Sequence, residues 1–159
     1  MGVSRPFGDR WQWSLDAARM SFGSTPASGG VPATVEPGTD TAVSTQLVGY
    51  GLFGRGDVTS LGLQYQTGAN QKMISLGLGA QLPVAEVWRV GPRLRIDQRK
   101  LSSDGSTSTT YAPSLRAELR ARRMTFELEG GAELGSRDFG TSTEDSSRYY
   151  FSMGYRYDF

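Results

Sequence analysis

The chain has 159 residues, which is the length of one domain and enough to bury a core. Its 17 basic and 16 acidic residues leave a net charge of +1, so no global field favours nucleic acid or an anionic membrane surface. Cysteine and histidine are absent and no apolar run approaches roughly 18 residues, which excludes disulfides, thiol catalysis, most zinc sites and helical membrane spans.

Alternation of apolar and polar residues, the period of a half-buried strand, recurs about eight times, and helical spacing is nowhere sustained. In chain order the predicted strands are 11–22, 43–54, 58–69, 73–84, 88–101, 109–122, 124–137 and 148–159. Each is long enough to cross a membrane as a tilted strand, which takes about 9–11 residues. The first strand follows MGVSRPFGDR without a secretory leader, so we expect one domain over 1–159, mature or excised, with an added start methionine.

The predicted connectors alternate in length. The long ones, 23–42, 102–108 and 138–147, are polar and rich in Gly, Ser and Thr, whereas 55–57, 85–87 and residue 123 are tight. The connector 70–72 is the one short connector on the long-loop side. Such asymmetry is typical of a transmembrane barrel whose termini lie on the tight-turn side. The Arg-Gly-Asp tripeptide at 55–57, which can be an integrin ligand, lies in a tight turn and is interpreted as a chance match.

Charged residues fall on one face of neighbouring predicted strands. They form a predicted charge network of Arg93, Arg95, Arg116, Glu118, Arg120, Glu127, Glu129, Glu133 and Arg156. In a soluble sandwich this face would simply meet water. Glycine also recurs on it, and a narrow barrel lumen needs glycine because large and small side chains must alternate there. We therefore expect a lumen plugged by side chains, with the carboxylates as counter-ions to the arginines and not as catalytic acids.

Aromatic residues fall near the two ends of the predicted strands. Near the tight-turn end lie Trp11, Trp13, Trp88 and Phe126, and near the other end lie Tyr65, Tyr111 and Tyr149. Two belts of this kind match the girdles at the interfaces of a bilayer. An ordinary sandwich core would instead place its aromatic residues at mid-strand.

The chain ends in RYYFSMGYRYDF, where every second residue from Tyr149 to Phe159 is apolar or aromatic. This ending resembles the carboxy-terminal assembly signal of bacterial outer-membrane β-barrels, whose positions are matched by Ser152, Gly154, Tyr157 and Phe159. The resemblance implies an all-β, eight-stranded antiparallel up-and-down barrel similar to the OmpA membrane domain or OmpX. The last strand, 148–159, must then pair with 11–22 to close the barrel, because an open edge is not tolerated in hydrocarbon. The resemblance further implies insertion by the Bam machinery, contact with outer-membrane lipid and lipopolysaccharide, and termini in the periplasm.

Function is predicted less directly than fold. Membrane-barrel lipid hydrolases, acyltransferases and omptin-type proteases resemble one another in needing a histidine base, and this chain has none, so we expect neither an enzyme nor a cofactor or metal site. One hypothesis is a non-enzymatic anchor and interaction module that presents 23–42 and 138–147 outward. The alternative is the C-terminal barrel of a larger envelope protein with an N-terminal periplasmic domain, acting with export partners on a polymer such as exopolysaccharide.

Overall fold

A computed structural model describes residues 1–22 and 38–157, which form one antiparallel sheet without any helix. Its nine strands are β1 Gly2–Phe7, β2 Trp11–Phe22, β3 Gly38–Tyr50, β4 Val58–Thr67, β5 Gln71–Pro83, β6 Trp88–Leu101, β7 Thr107–Ala121, β8 Met124–Asp138 and β9 Thr143–Tyr157. Strand order in the sheet is chain order, so each strand pairs with its neighbours in sequence. The prediction of an all-β, up-and-down antiparallel topology is confirmed.

The predicted number of strands is wrong by one, because β1 precedes the strand that we expected to be first. Arg5 and Pro6 interrupt the alternation of β1, so the pattern gives no signal there. The strand forms through backbone pairing: Val3 lies opposite Leu15, and Phe7 lies opposite Trp11. The terminal ammonium of Met1 also donates to the carbonyl of Ala17 at 2.7 Å.

Strand ends also differ from the prediction at the end expected to carry long loops. Residues 38–42 belong to β3 and residues 143–147 belong to β9, so the predicted long loop 138–147 shrinks to 139–142. The β8–β9 ladder continues to the pair Asp138 and Thr143, because polar Ser and Thr side chains are compatible with a strand at a rim. Residues 23–37 lie outside the described part. The described connectors at the two ends of the sheet are therefore similar in length.

Register separates the residues of the sheet into two faces, as the alternation predicts. Leu47, Leu61, Leu78 and Leu94 lie directly opposite one another across β3 to β6, which gives a row of leucines on one side. We call this side the apolar face; it also carries Leu15, Ile96, Tyr111, Leu115, Phe126, Phe151 and Met153. The opposite side, the polar face, carries most of the charged residues and most of the strand glycines.

Residues 1–22 and 38–157 form no second layer over the apolar face. Among the described residues no hydrophobic side chain is buried. The accessible surface is 11673 Å², whereas a folded soluble monomer of 17.3 kDa is expected to expose about 7,800 Å². On β9 the exposed fractions of Tyr149, Phe151, Met153 and Tyr155 run from 73% to 77%. The sheet therefore has no hydrophobic core of its own in the described part.

The sheet curls toward its polar face but does not close. In a flat sheet, six strand spacings of about 4.8 Å would separate β3 from β9 by about 29 Å. Residues from β3 to β9 nevertheless line one groove of about 430 Å³, so the sheet must be curved. Within the described ranges, no Cα atom of β9 lies within 8 Å of one in β1 or β2. The sheet therefore does not show the predicted closure of strand 148–159 against 11–22, and β1 occupies that edge of β2 instead.

Candidate functional site

The groove on the polar face is a concave site that brings together several members of the predicted charge network. One wall is built from small residues of β4 and β5, which include Ser60, Gly62, Gly77 and Gly79. The other wall is built from long side chains of β6 to β9, which include Arg93, Arg95, Glu129, Glu133 and Tyr150. The small residues of the first wall thus face the long side chains of the second wall. Side chains of complementary size are required in a narrow interior.

Within the predicted charge network, the structure pairs two arginines of β7 with glutamates. Arg116 approaches Glu127 at 2.6 Å across the β7–β8 pair, and Arg120 contacts Glu118 two residues before it on the same strand. Glu118 lies directly opposite Glu127, so each of two facing carboxylates has its own guanidinium. Such pairing stabilises charge of both signs on neighbouring strands, and it supports the interpretation of the carboxylates as counter-ions.

Other members of the predicted network are arranged differently. Arg95 pairs with Asp97 on its own strand at 2.9 Å, not with a glutamate, and Glu129 accepts a hydrogen bond of 3.2 Å from the hydroxyl of Tyr150. The groove is also lined by Arg93 and Glu133, neither of which forms an ion pair with a described residue. Arg156 lies on the same face, opposite Thr125.

This charge network is open to solvent and not sealed. The exposed fractions are 32% for the Arg116 side chain and 42% for that of Glu127, so water screens their attraction. Glu118 differs, because only 8% of its side chain is exposed. Loss of Arg120 would therefore leave Glu118 as a nearly buried carboxylate without a partner.

Glycines on the polar face fall into two kinds. A Cβ atom on Gly131 would lie 2.7 Å from the Tyr150 ring, so glycine is needed there to seat that ring beside Glu129. In contrast, a Cβ on Gly77 or Gly154 would meet nothing within 4 Å, and on Gly62 it would meet only a carbonyl oxygen at 4.0 Å. The open sheet therefore does not require glycine at these three positions.

Aromatic residues predicted for the interfaces lie on the apolar face. Trp88 shares a row with Leu119, Phe126 and Tyr155, close to the end that carries the 122–123 turn. Trp11 and Trp13 begin β2, and the indole N–H of Trp13 donates to the hydroxyl of Thr45 at 2.7 Å. Near the other end, Tyr65 lies two residues before the end of β4, and Tyr111 is the fifth residue of β7.

Tyr149 departs from the predicted belt. Because β9 begins at Thr143 and not at 148, Tyr149 lies near the middle of its strand, in line with Ala132. Of the predicted assembly signal, Ser152 and Gly154 lie on the polar face and Tyr157 lies on the apolar face. Phe159 lies outside the described residues.

Two polar clusters in connectors were not predicted. Asp57, only 2% exposed, accepts hydrogen bonds from the amides of Leu52 and Phe53 at 3.1 and 2.9 Å. Its carboxylate therefore stabilises the 51–57 turn from within and is not presented to a partner, which agrees with the interpretation of the Arg-Gly-Asp tripeptide as a chance match. A glycine-rich turn followed by aspartate is the sequence signal that could have indicated this role.

The second cluster joins the 102–106 connector to β8. Asp104 accepts hydrogen bonds from the hydroxyl and amide of Ser106, and a guanidinium nitrogen of Arg137 lies 2.8 Å from its carboxylate. These hydrogen bonds, with the nearby Arg137 charge, lower the pKa of Asp104 below its ordinary value of 3.8. Arg137 also stacks 4.5 Å above the ring of Phe139, so the cluster orders two connectors at one rim.

No group of acidic side chains in the described ranges could hold a metal ion, and those ranges contain no helix able to span a membrane. In comparisons with known proteins, no family model, no curated protein and no solved structure matches this chain.

Proposed function

We propose that this protein is a non-enzymatic outer-membrane barrel that acts as an anchor and interaction module, with its apolar face toward lipid. The observation that carries the proposal is an apolar face that the described residues leave uncovered, on a sheet in which they form no hydrophobic core. Burial of apolar area is the main favourable term in folding, at about 25 cal/mol per Å². A sheet in which no described hydrophobic side chain is fully buried needs an apolar environment, and a bilayer provides it on all sides.

The curl of the sheet supports the same proposal. A spanning sheet must close, because unpaired backbone groups are not tolerated in hydrocarbon. The curl already turns the charged face inward, and the glycines at 62, 77 and 154 leave space that the open sheet does not use. In a closed barrel that space would receive the long side chains of the opposite wall. We therefore propose that the barrel is closed in the membrane and plugged by its charged residues.

Neighbouring residues on opposite faces of β4 provide a direct test. Leu63 and Gln64 lie near the middle of the strand, and both side chains are exposed. Leu63→Arg should lower the free energy of unfolding in lipid vesicles by about 2–4 kcal/mol, the cost of arginine near the bilayer midplane. Gln64→Arg is the matched control and should cost much less.

The measurement is urea unfolding of the vesicle-inserted protein, followed by tryptophan fluorescence and by heat-modifiable gel migration. If both variants behave alike and the wild type stays folded and monomeric in plain buffer, the apolar face does not meet lipid. A soluble barrel with another cover would then replace the membrane proposal.

The proposed contact with the Bam machinery is tested separately at the end of the chain. Deleting Phe159 should lower the outer-membrane yield in cells far more than it lowers unassisted refolding into detergent. Truncation of Tyr149, which lies at mid-strand on the same face, is the control and should have similar effects in both settings. Equal losses for the Phe159 deletion in both settings would mean that the residue acts only through stability.

A further inference from the structure

We propose that β1 is a removable edge strand, which occupies the edge of β2 until β9 takes its place and closes the barrel. The inference rests on the proposed membrane function and deepens it, because it names the segment that must leave before the open sheet can close. It follows from strand direction, from the hydrogen-bonding pattern of β1 and from strand length.

Strand direction decides which edge β9 can use. Every neighbouring pair in the nine-stranded sheet is antiparallel, so β1 and β9, an even number of steps apart, run in the same direction. Closure of β9 on β1 would therefore create the one parallel pair of the sheet. Closure of β9 on β2 would keep every pair antiparallel, as in up-and-down barrels.

The free edge of β1 is also a poor acceptor of a further strand. Met1 and Ala17 exchange both backbone hydrogen bonds, at 2.7 and 2.8 Å, which makes them a hydrogen-bonded pair. Because such pairs alternate along an antiparallel ladder, Gly2, Ser4 and Pro6 turn their backbone groups away from β2. Proline has no N–H, so this edge lacks a donor at Pro6, as is common on protected edges.

Strand length favours the exchange. β1 has 6 residues and pairs with residues 11–16, whereas β2 has 12 residues. Beyond Ala17, this edge of β2 has no backbone partner among the described residues. β9 has 15 residues and could therefore cover the whole edge that β1 covers in part.

Few side-chain contacts hold β1 in place. The amide of Gln12 donates to the hydroxyl of Ser4 at 3.0 Å, while Val3 and Phe7 remain largely exposed. β1 is thus attached mainly by its backbone ladder. An incoming strand can replace that ladder with one of the same kind, so the loss of β1 is compensated by the gain of β9.

The first experiment locks β1 in place, and the absence of cysteine makes it specific. Ser4 and Ser14 lie opposite each other at a non-hydrogen-bonded position, where Cα atoms are about 4.5 Å apart and within disulfide range. The oxidised Ser4→Cys/Ser14→Cys variant should bind vesicles of zwitterionic lipid but should lose the heat-modifiable gel form and protease protection. Reduction should restore both.

A matched disulfide controls for the crosslink itself. Leu63→Cys/Leu76→Cys joins directly opposed residues of β4 and β5, which stay paired in either state, so it should leave closure unchanged. If the oxidised Ser4→Cys/Ser14→Cys variant closes normally, the proposed replacement of β1 by β9 is wrong.

The second experiment locates β9 after insertion into vesicles. Tyr155 lies near the end of β9, at the same rim as the start of β2, so closure should bring it close to Leu15. A short bismaleimide should then join the cysteines of Leu15→Cys/Tyr155→Cys and not those of Val3→Cys/Tyr155→Cys. Crosslinking of the second variant alone, or of neither in vesicle-bound protein, would overturn the proposal. Failure of every variant to bind vesicles would instead overturn the proposed membrane function, and the exchange with it.

Discussion

Substitution of Gly77 by valine distinguishes a closed barrel from an open sheet by the sign of the change in the free energy of unfolding. Gly77 lies on the polar face between Gly62 and Arg95, and an added Cβ would meet nothing within 4 Å. In the open sheet, valine should stabilise the strand by about 0.5–1 kcal/mol, because it removes the backbone entropy of glycine and favours the extended conformation.

In a closed barrel the same valine would point into an interior already occupied by arginine and glutamate side chains from the opposite wall. Overpacking of a filled interior costs about 1–3 kcal/mol. Once the strand gain of about 0.5–1 kcal/mol is subtracted, the net effect of Gly77→Val in lipid should run from neutral to destabilising by about 2.5 kcal/mol.

The assay is urea unfolding in vesicles, with Gly130→Val as the control. Gly130 lies on the apolar face, where an added Cβ would make an ordinary contact of 3.9 Å with the Phe151 ring. Gly130→Val should leave the free energy of unfolding unchanged or raise it. If Gly77→Val stabilises the vesicle-inserted protein as much as Gly130→Val does, the polar face does not enclose a filled lumen.

Three further effects are expected. Arg120→Leu should lower the free energy of unfolding by about 1–3 kcal/mol, because it leaves the nearly buried Glu118 without its partner, and a loss below about 0.5 kcal/mol in urea unfolding would contradict this. Asp57→Ala should cost about 1–3 kcal/mol, since the turn amides lose their acceptor; unchanged hydrogen exchange in 51–57 would exclude that role. The lowered pKa of Asp104 stabilises the folded state above about pH 3.8, and this contribution disappears as the pH falls through the folded pKa. Ser106→Ala should move that pKa back toward 3.8 in an NMR titration of the Asp104 carboxyl, and an unmoved pKa would assign the shift to another group.

The alternation in the sequence predicts the strands and their faces well, because the period of two is set by the local pleat. The bounds of β2 and β6 match those predicted, and the leucine row lies on one side as the alternation requires. The failures have a different physical origin. β1 is held by backbone pairing that leaves no side-chain pattern, and residues 143–147 carry a polar composition common to loops and rim strands.

The sequence predicts which charged residues share the face of the candidate site, but not which of them form ion pairs. Glutamate and arginine on adjacent strands could be assigned to one face, yet Arg116 lies directly opposite Glu129 and pairs instead with the diagonal Glu127, so register alone does not fix the partner. The cluster of Asp104, Ser106 and Arg137 requires a connector to meet the end of β8, which no local pattern encodes.

The strict order of the strands has a consequence for how the chain folds and tolerates truncation. Since each described strand contacts only its sequence neighbours, the hairpins whose connectors lie in the described ranges can form early, with short loops and a small entropic cost of closure. Stability should then be close to a sum of strand terms and nearest-neighbour terms, as in a linear array of repeats. Removal of β1 should shorten the folded array by one unit and leave the central hairpins intact.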